Sequence, residues 1–293
     1  MRVSVYLPML LSLLLALSTP LLSRRLAPRL AACVLTLSAG LTAAASTWGL
    51  LLLATTLLQH TPEAEEHGAL PRPVPAVVAA VALVALTLAC CRALRTVRTR
   101  IGTDAALRRI CRGCHPDGEL AVLADAAPHA YAVPGRPGRI LVSTGLLRST
   151  SATERRVVLA HERAHLRQAH HLLRATTELA AALNPLLIPS RHAVAYLVER
   201  AADEAAADTV GSRTVAAAAL VKVALTSATA AAGTQLAFHQ HAVLDRVAAL
   251  RSPPVNSVRP LAVACLAAAL LTTGAAGDAT LAFGRIAAAV TGL

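Results

Sequence analysis

Four long apolar stretches constrain this chain more than any other feature: about Val5 to Leu22, a segment within Leu30 to Leu58, about Val74 to Cys91, and about Leu261 to Phe283. Crossing about 30 Å of hydrocarbon takes roughly 20 helical residues, because no water is present there to satisfy an open backbone. Each stretch is long enough. Of the 293 residues 55% are apolar and only 15% charged, which excludes a disordered chain. The six cysteines, mostly inside apolar runs, are not the spaced array of a disulfide scaffold. A formal charge of +12 with 2% aromatic residues gives no basic stripe beside stacking rings, so direct nucleic-acid binding is not expected.

Arginine gathers instead at the ends of the apolar runs, and its distribution orients them. Arg24, Arg25 and Arg29 follow the first run. Gln59 to Pro73 carries Glu63, Glu65 and Glu66 with only Arg72, whereas Arg92, Arg95, Arg98, Arg100, Arg108, Arg109 and Arg112 follow the third. The N-terminus is therefore expected outside, and a long middle segment cytoplasmic. The first run lacks a small-residue cleavage site and leads into Arg24-Arg25, so it reads as a retained anchor. Three divisions follow: residues 1–110 with three spans and a basic connector, 111–258 as the cytoplasmic region, and 259–293 with the fourth span. Lys222 is the sole lysine among 28 basic residues, which hints at a GC-rich bacterial genome and hence a bacterial plasma membrane.

Within the middle segment, His129 to Val133 and Arg139 to Ser143 flank Pro134-Gly-Arg-Pro-Gly138, the pattern of a small β-hairpin. Ser151 stands three residues before Glu154, a capping-box spacing that starts a helix expected to run to about Leu173. On that helix lies Leu159-Ala160-His161-Glu162-Arg163-Ala164-His165, an H-E-x-x-H string. Two histidines four apart share one helical face and can bind a single zinc ion, with Glu162 beside it as general base. A third ligand is required. Glu199 and Asp203 are also four apart: Glu199 is the candidate ligand, Asp203 the candidate acceptor for the free ring N–H of a liganding histidine, and a solvated acidic helix face is the competing reading.

The order of hairpin, capped helix with His161-Glu162-x-x-His165, then Asn184-Pro185-Leu186 and Glu199-x-x-x-Asp203 resembles the BlaR/MecR family of membrane-embedded zinc metallopeptidases. The resemblance implies a mainly α membrane protein of about four transmembrane helices with a cytoplasmic α+β, zincin-like (gluzincin) metallopeptidase region. It also implies one zinc ion held by His161, His165 and Glu199, catalysis by Glu162, and cleavage of a cytoplasmic protein such as a winged-helix transcriptional repressor. The best-known members carry a large extracellular penicillin-binding domain; only about ten residues follow the fourth run here, so β-lactam sensing is not carried over. HtpX-type quality-control proteases have a similar hairpin and a similar Glu-x-x-x-Asp. A non-enzymatic membrane transducer with a structural zinc site is the alternative from another class.

Arg139, Ile140, Leu141, Val142 and Ser143 are the candidate edge strand for an extended substrate, with a purely structural brace as the equal alternative. Cys111-Arg-Gly-Cys114-His115 matches a haem-attachment string, but on the cytoplasmic side it reads as a plain cysteine pair. His170 and His171 are expected at a solvated helix end, and Tyr196 in helix packing. Leu172 to Pro189 is apolar, yet Arg174, Glu178, Asn184 and Pro185 argue against a fifth span.

Overall fold

The computed structural model describes residues 6–57, 74–113, 116–230, 236–255 and 258–291. The acidic loop Gln59 to Pro73, Cys114 and His115 lie outside the described residues, as do the side chains of His239 and His241. Three long helices come first: α1 (Leu7–Arg25), α2 (Pro28–Thr55) and α3 (Ala76–Gly113). Strands β1 (Pro116–Asp117), β2 (Leu120–Leu123), β3 (Ala130–Val133) and β4 (Arg139–Ser143) follow, then helices α4 (Thr144–Ser149), α5 (Ala152–Arg167), α6 (His170–Leu183), α7 (Ile188–Val210), α8 (Arg213–Ala230), α9 (Leu236–Arg251) and α10 (Arg259–Thr291). Among the described residues, α1, α2, α3 and α10 are long and apolar enough to cross a membrane. These are the four runs expected from the sequence. Helix α3 continues through its arginines well past Cys91, reaching about 57 Å at 1.5 Å per residue.

Helix α2 is the hub, and its composition explains why. Ala31, Ala32, Ser38, Ala39, Thr42, Ala43 and Ser46 are buried, and such small side chains let neighbouring backbones approach closely. Around it a core forms from Leu22 and Leu26, Leu35, Leu187, and Val194, Leu197 and Val198 of α7. Asn184, which argued against a fifth span, lies at the tip of the α6–α7 hairpin between α1 and α2. Its Nδ2 donates to Ser12 Oγ at 2.8 Å and Ser46 Oγ at 3.1 Å, while its Oδ1 accepts from the Leu186 amide at 3.1 Å. About two turns further along α1, the Thr19 and Ser190 hydroxyls meet at 3.1 Å. A buried amide is tolerated only when paired. These bonds tie the first two long helices to the base of α7, which carries Glu199.

The sheet has the order β1-β2-β4-β3. The expected hairpin forms, with Ala130 opposite Val142 and Val133 opposite Arg139. Its surroundings differ from expectation. Strand β2, which the sequence reading did not anticipate, pairs in parallel with β4 from Leu120–Ile140 to Leu123–Ser143. Arg139, Ile140, Leu141, Val142 and Ser143 are therefore an interior strand, bonded on both sides, and cannot accept a substrate strand. Their near-complete burial from Ile140 to Ser143 is the physical reason for that central place. The outer strands are β1 and β3, and the edge beside α5 belongs to β3.

Helix α5 starts as expected: Ser151 Oγ accepts from the Glu154 amide at 3.3 Å, and the Ser151 amide donates to Glu154 at 2.7 Å. It ends earlier than expected, at Arg167, where Ala169 takes a left-handed conformation (φ 51°) and α6 begins. No glycine or proline marks that break. Its consequence is to swing His170 underneath α5, where it is buried.

Candidate metal centre and active site

Helices α5 and α7 pack against each other, and the four-residue spacings on both aim their polar side chains into one place. His161 Nε2 lies 3.0 Å from His165 Nε2. Glu199 brings its two carboxylate oxygens to 3.5 Å from the first ring and 3.7 Å from the second. Tetrahedral zinc with ligands at about 2.0–2.1 Å requires donor separations of about 3.3 Å, and the 3.0, 3.5 and 3.7 Å found here bracket that value, so the group could hold a single small cation. Two imidazoles and one carboxylate also leave a fourth position open, which a structural four-ligand site does not.

A ring of supporting groups holds those donors. His161 Nδ1 meets Asp203 Oδ1 at 3.0 Å, so Asp203 stands where a tautomer-fixing acceptor was expected. His165 Nδ1 faces His170 Nδ1 at 2.9 Å, and His170 in turn reaches Gln168 Oε1 at 3.3 Å. Arg246 from α9 grips Asp203 with Nε and Nη2, both at 2.7 Å, and lies 3.4 Å from Glu199. Arg246 was not singled out from the sequence, and His170, expected at a solvated helix end, is instead buried against His165. Arg246 did carry a signal: Val243, Val247 and Leu250 share its helical face, and a cation on an apolar stripe must meet a buried anion. His170 carried none, because the left-handed turn that buries it falls at an ordinary alanine.

Electrostatics follow from burial and charge. Burial would lower His161, but the bond to Asp203 and the neighbouring Glu199 win and raise it to about 10. A metal ion taken up here displaces that proton, since ligation needs the neutral ring. Burial and the adjacent His161 push His165 down to about 3. Glu199 and Asp203 are held below the usual carboxylate range: burial opposes this, and is outweighed by His161 and, for Asp203, by Arg246.

Glu162 behaves oppositely, raised by burial to about 7. That lies near the pH at which a general base works best. Because the folded chain holds this proton more tightly than the unfolded one, the stability it confers is complete below pH 4.5 and is lost as pH rises through about 7. Activity has the opposite slope, since only the ionised carboxylate accepts a proton. The expected pH profile of kcat/KM has an acid limb with a midpoint between 4.5 and about 7, lowered toward 4.5 by a bound cation, and Glu162→Asp shifts it; a flat profile from pH 4.5 to 8 contradicts the assignment.

The Ala132 amide sits close enough to Glu162 to moderate that rise. Ser143 N–H bonds His129 C=O, which sets the alternation of the antiparallel ladder: Ala130 and Ala132 direct their backbone groups away from β4, toward the free edge. Two cavities open from this edge and share Ala130, Tyr131, His161 and Glu162. One, of about 970 Å³, runs between α3 and α6; the other, of about 490 Å³, is an apolar recess walled by Val157, Ala206, Ala216, Ala219, Leu220 and Val223. Tyr196 lines neither and lies 6.0 Å under the Arg200 guanidinium. Arg163 points outward to Glu119 at 2.8 Å, and Glu204 is occupied by Arg213. His171 and His192 supply no donor to the metal group.

Residues 99–195 match the model of Peptidase family M48. This match supports a membrane-type zinc metallopeptidase family, the coarser part of the resemblance drawn from sequence; the BlaR/MecR type specifically is not what it identifies. The M48 segment contains His161, Glu162 and His165 but ends before Glu199, Asp203 and Arg246, so it is the folded geometry that joins those three to the motif. No curated protein and no solved structure matches the chain.

Proposed function

We propose that this protein is an integral-membrane zinc metalloendopeptidase that cleaves a protein substrate on the cytoplasmic side of a bacterial plasma membrane. The observation that carries this reading is the convergence of three metal donors, a buried carboxylate and a free strand edge at one point. Bound zinc supplies a Lewis acid and a water of lowered pKa. The chain does the rest. Ala130, and Ala132 through its carbonyl, pair with an extended substrate, while the Ala132 N–H stays on Glu162, so the scissile carbonyl rests beside that carboxylate. The Glu162 carboxylate takes a proton from the attacking water as its oxygen bonds to the carbonyl carbon. When the C–N bond breaks, the same carboxyl returns that proton to the departing amine. The apolar recess accommodates a large aliphatic or aromatic side chain next to the cleaved bond.

The arginine-rich connections flanking the four apolar helices support the cytoplasmic side. The substrate is a cytoplasmic protein, and the resemblance that suggested a winged-helix repressor keeps signalling as its narrower form. Membrane-protein quality control uses the same chemistry on unfolded chains, and the resemblance of the hairpin and of Glu199-x-x-x-Asp203 to HtpX-type proteases keeps it beside signalling.

Purified protein in detergent is expected to cleave unfolded casein, to lose that activity in excess chelator, and to regain it with one equivalent of zinc. Cleavage that persists after complete metal removal overturns the reading.

A further inference from the structure

The larger cavity leads away from the metal group along a wall of guanidinium groups. Arg92, Arg95 and Arg100 reach it from α3, Arg174 from α6 and Arg191 from α7; among the described residues its acidic lining besides Glu162 and Glu199 is Asp104 and Glu178. Glu178 is already engaged, 2.6 Å from Arg100 and 4.0 Å from Arg174. Arg92 donates to the Ala182 carbonyl at 2.9 Å, which fixes its head but leaves its charge uncompensated. Among the described residues no carboxylate lies within ion-pair distance of Arg92, Arg95 or Arg191.

Like charges converging on a cleft with low-dielectric walls focus a positive potential inside it. Arg92 and Arg95 are exposed and solvated, so an anionic group that enters meets this potential at little desolvation cost to them. The channel opens directly onto Ala130, Ala132, Glu162 and Glu199, so what completes it is continuous with what reaches the metal group.

Resting on the peptidase reading, we propose that this channel is a specificity site for carboxylates: the preferred substrate is a polypeptide with an acidic segment on one side of the scissile bond and a large apolar residue on the other. Arg95 and Arg191 are its selecting residues, because they line the channel and, among the described residues, bond to no backbone carbonyl; the Arg191 guanidinium meets only the neighbouring His192 ring, at 2.7 Å, which leaves its charge in place. Anionic lipid is the competing occupant, since Arg92 and Arg95 follow directly on the apolar part of α3. A polypeptide is favoured because the cavity is shared with the strand edge.

The test uses full-length protein in nanodiscs and quenched-fluorescence peptides of one apolar core, flanked on either side by three Glu or three Lys. Wild-type protein is expected to show kcat/KM about tenfold higher for a Glu-flanked peptide than for its Lys counterpart. Raising salt weakens the preference, and the double variant Arg95→Glu/Arg191→Glu inverts it. The same preference in Kd is expected by fluorescence anisotropy with Glu162→Gln protein. Equal rates and affinities for the two peptides, or a preference the double variant leaves in place, overturn the proposal. So does a preference seen in neutral nanodiscs that vanishes with phosphatidylglycerol, which returns the channel to lipid headgroups. Selective binding of the Glu-flanked peptide without any hydrolysis by wild-type protein supports the channel while rejecting the peptidase reading beneath it.

Discussion

Glu162→Gln protein should bind metal as wild type does and cleave peptide about 10²- to 10⁴-fold more slowly, the range that general acid–base catalysis contributes. The substitution keeps the size of the side chain and its place beneath Ala132, and removes only the ability to accept and return a proton. Since Glu162 is not among the three donors, metal stoichiometry should not change. Stability should move in an informative direction. A buried carboxylate raised to about 7 is a burden on the fold above neutral pH, and the amide carries no such charge. Glu162→Gln protein stripped of metal should therefore melt at a higher temperature than stripped wild type at pH 8, and the two should converge near pH 5. Single-turnover cleavage, metal analysis and thermal melts at the two pH values separate these effects. Full activity in the variant rejects the catalytic role, and loss of metal would make Glu162 a ligand instead of a base.

Arg246→Met has the second large effect, and it acts at a distance from the reacting atoms. The guanidinium binds both oxygens of Asp203, whose side chain is 6% exposed, and sits 3.4 Å from Glu199. Deleting one partner of a buried ion pair commonly destabilises by about 3–5 kcal/mol, because the remaining charge is left without compensation. Asp203 also orients His161, and groups that orient metal ligands are worth about 10- to 100-fold in metal affinity. Arg246→Met should therefore lower both the melting temperature and zinc affinity by chelator competition. The double variant Asp203→Asn/Arg246→Met removes both charges together; it should recover much of the stability but not the affinity, since an amide fixes His161 less firmly than a carboxylate. An Arg246→Met protein that melts and binds zinc as wild type does would reduce the residue to a bystander.

Features governed by a local rule were legible in the sequence. The four spans follow from apolar length, the start of α5 from Ser151 and Glu154, and the shared face of His161 and His165 from helical spacing. What was missed depends on long-range pairing. Strand β2 is a short apolar run whose partner β4 lies about twenty residues on, with no turn signal to join them, and its insertion moves the free edge from β4 to β3. The end of α5 was placed too late because an alanine, and not a glycine, adopts the left-handed turn. That one residue converts His170 from an expected solvated side chain into the partner of a candidate ligand. Asn184 was visible as an interruption, but its two hydroxyl partners lie on α1 and α2, more than a hundred residues away in sequence.

The central claim is that one cation is held by two adjacent turns of α5 and a carboxylate of α7. X-ray absorption at the zinc edge, on detergent-purified protein with measured metal content, tests it most directly. The expected result is one zinc per chain with two imidazole nitrogens and light oxygen donors at about 2.0–2.1 Å, and loss of one oxygen contribution in Glu199→Ala. Protein that binds no zinc at micromolar free metal, or a spectrum that Glu199→Ala leaves unchanged, would contradict it.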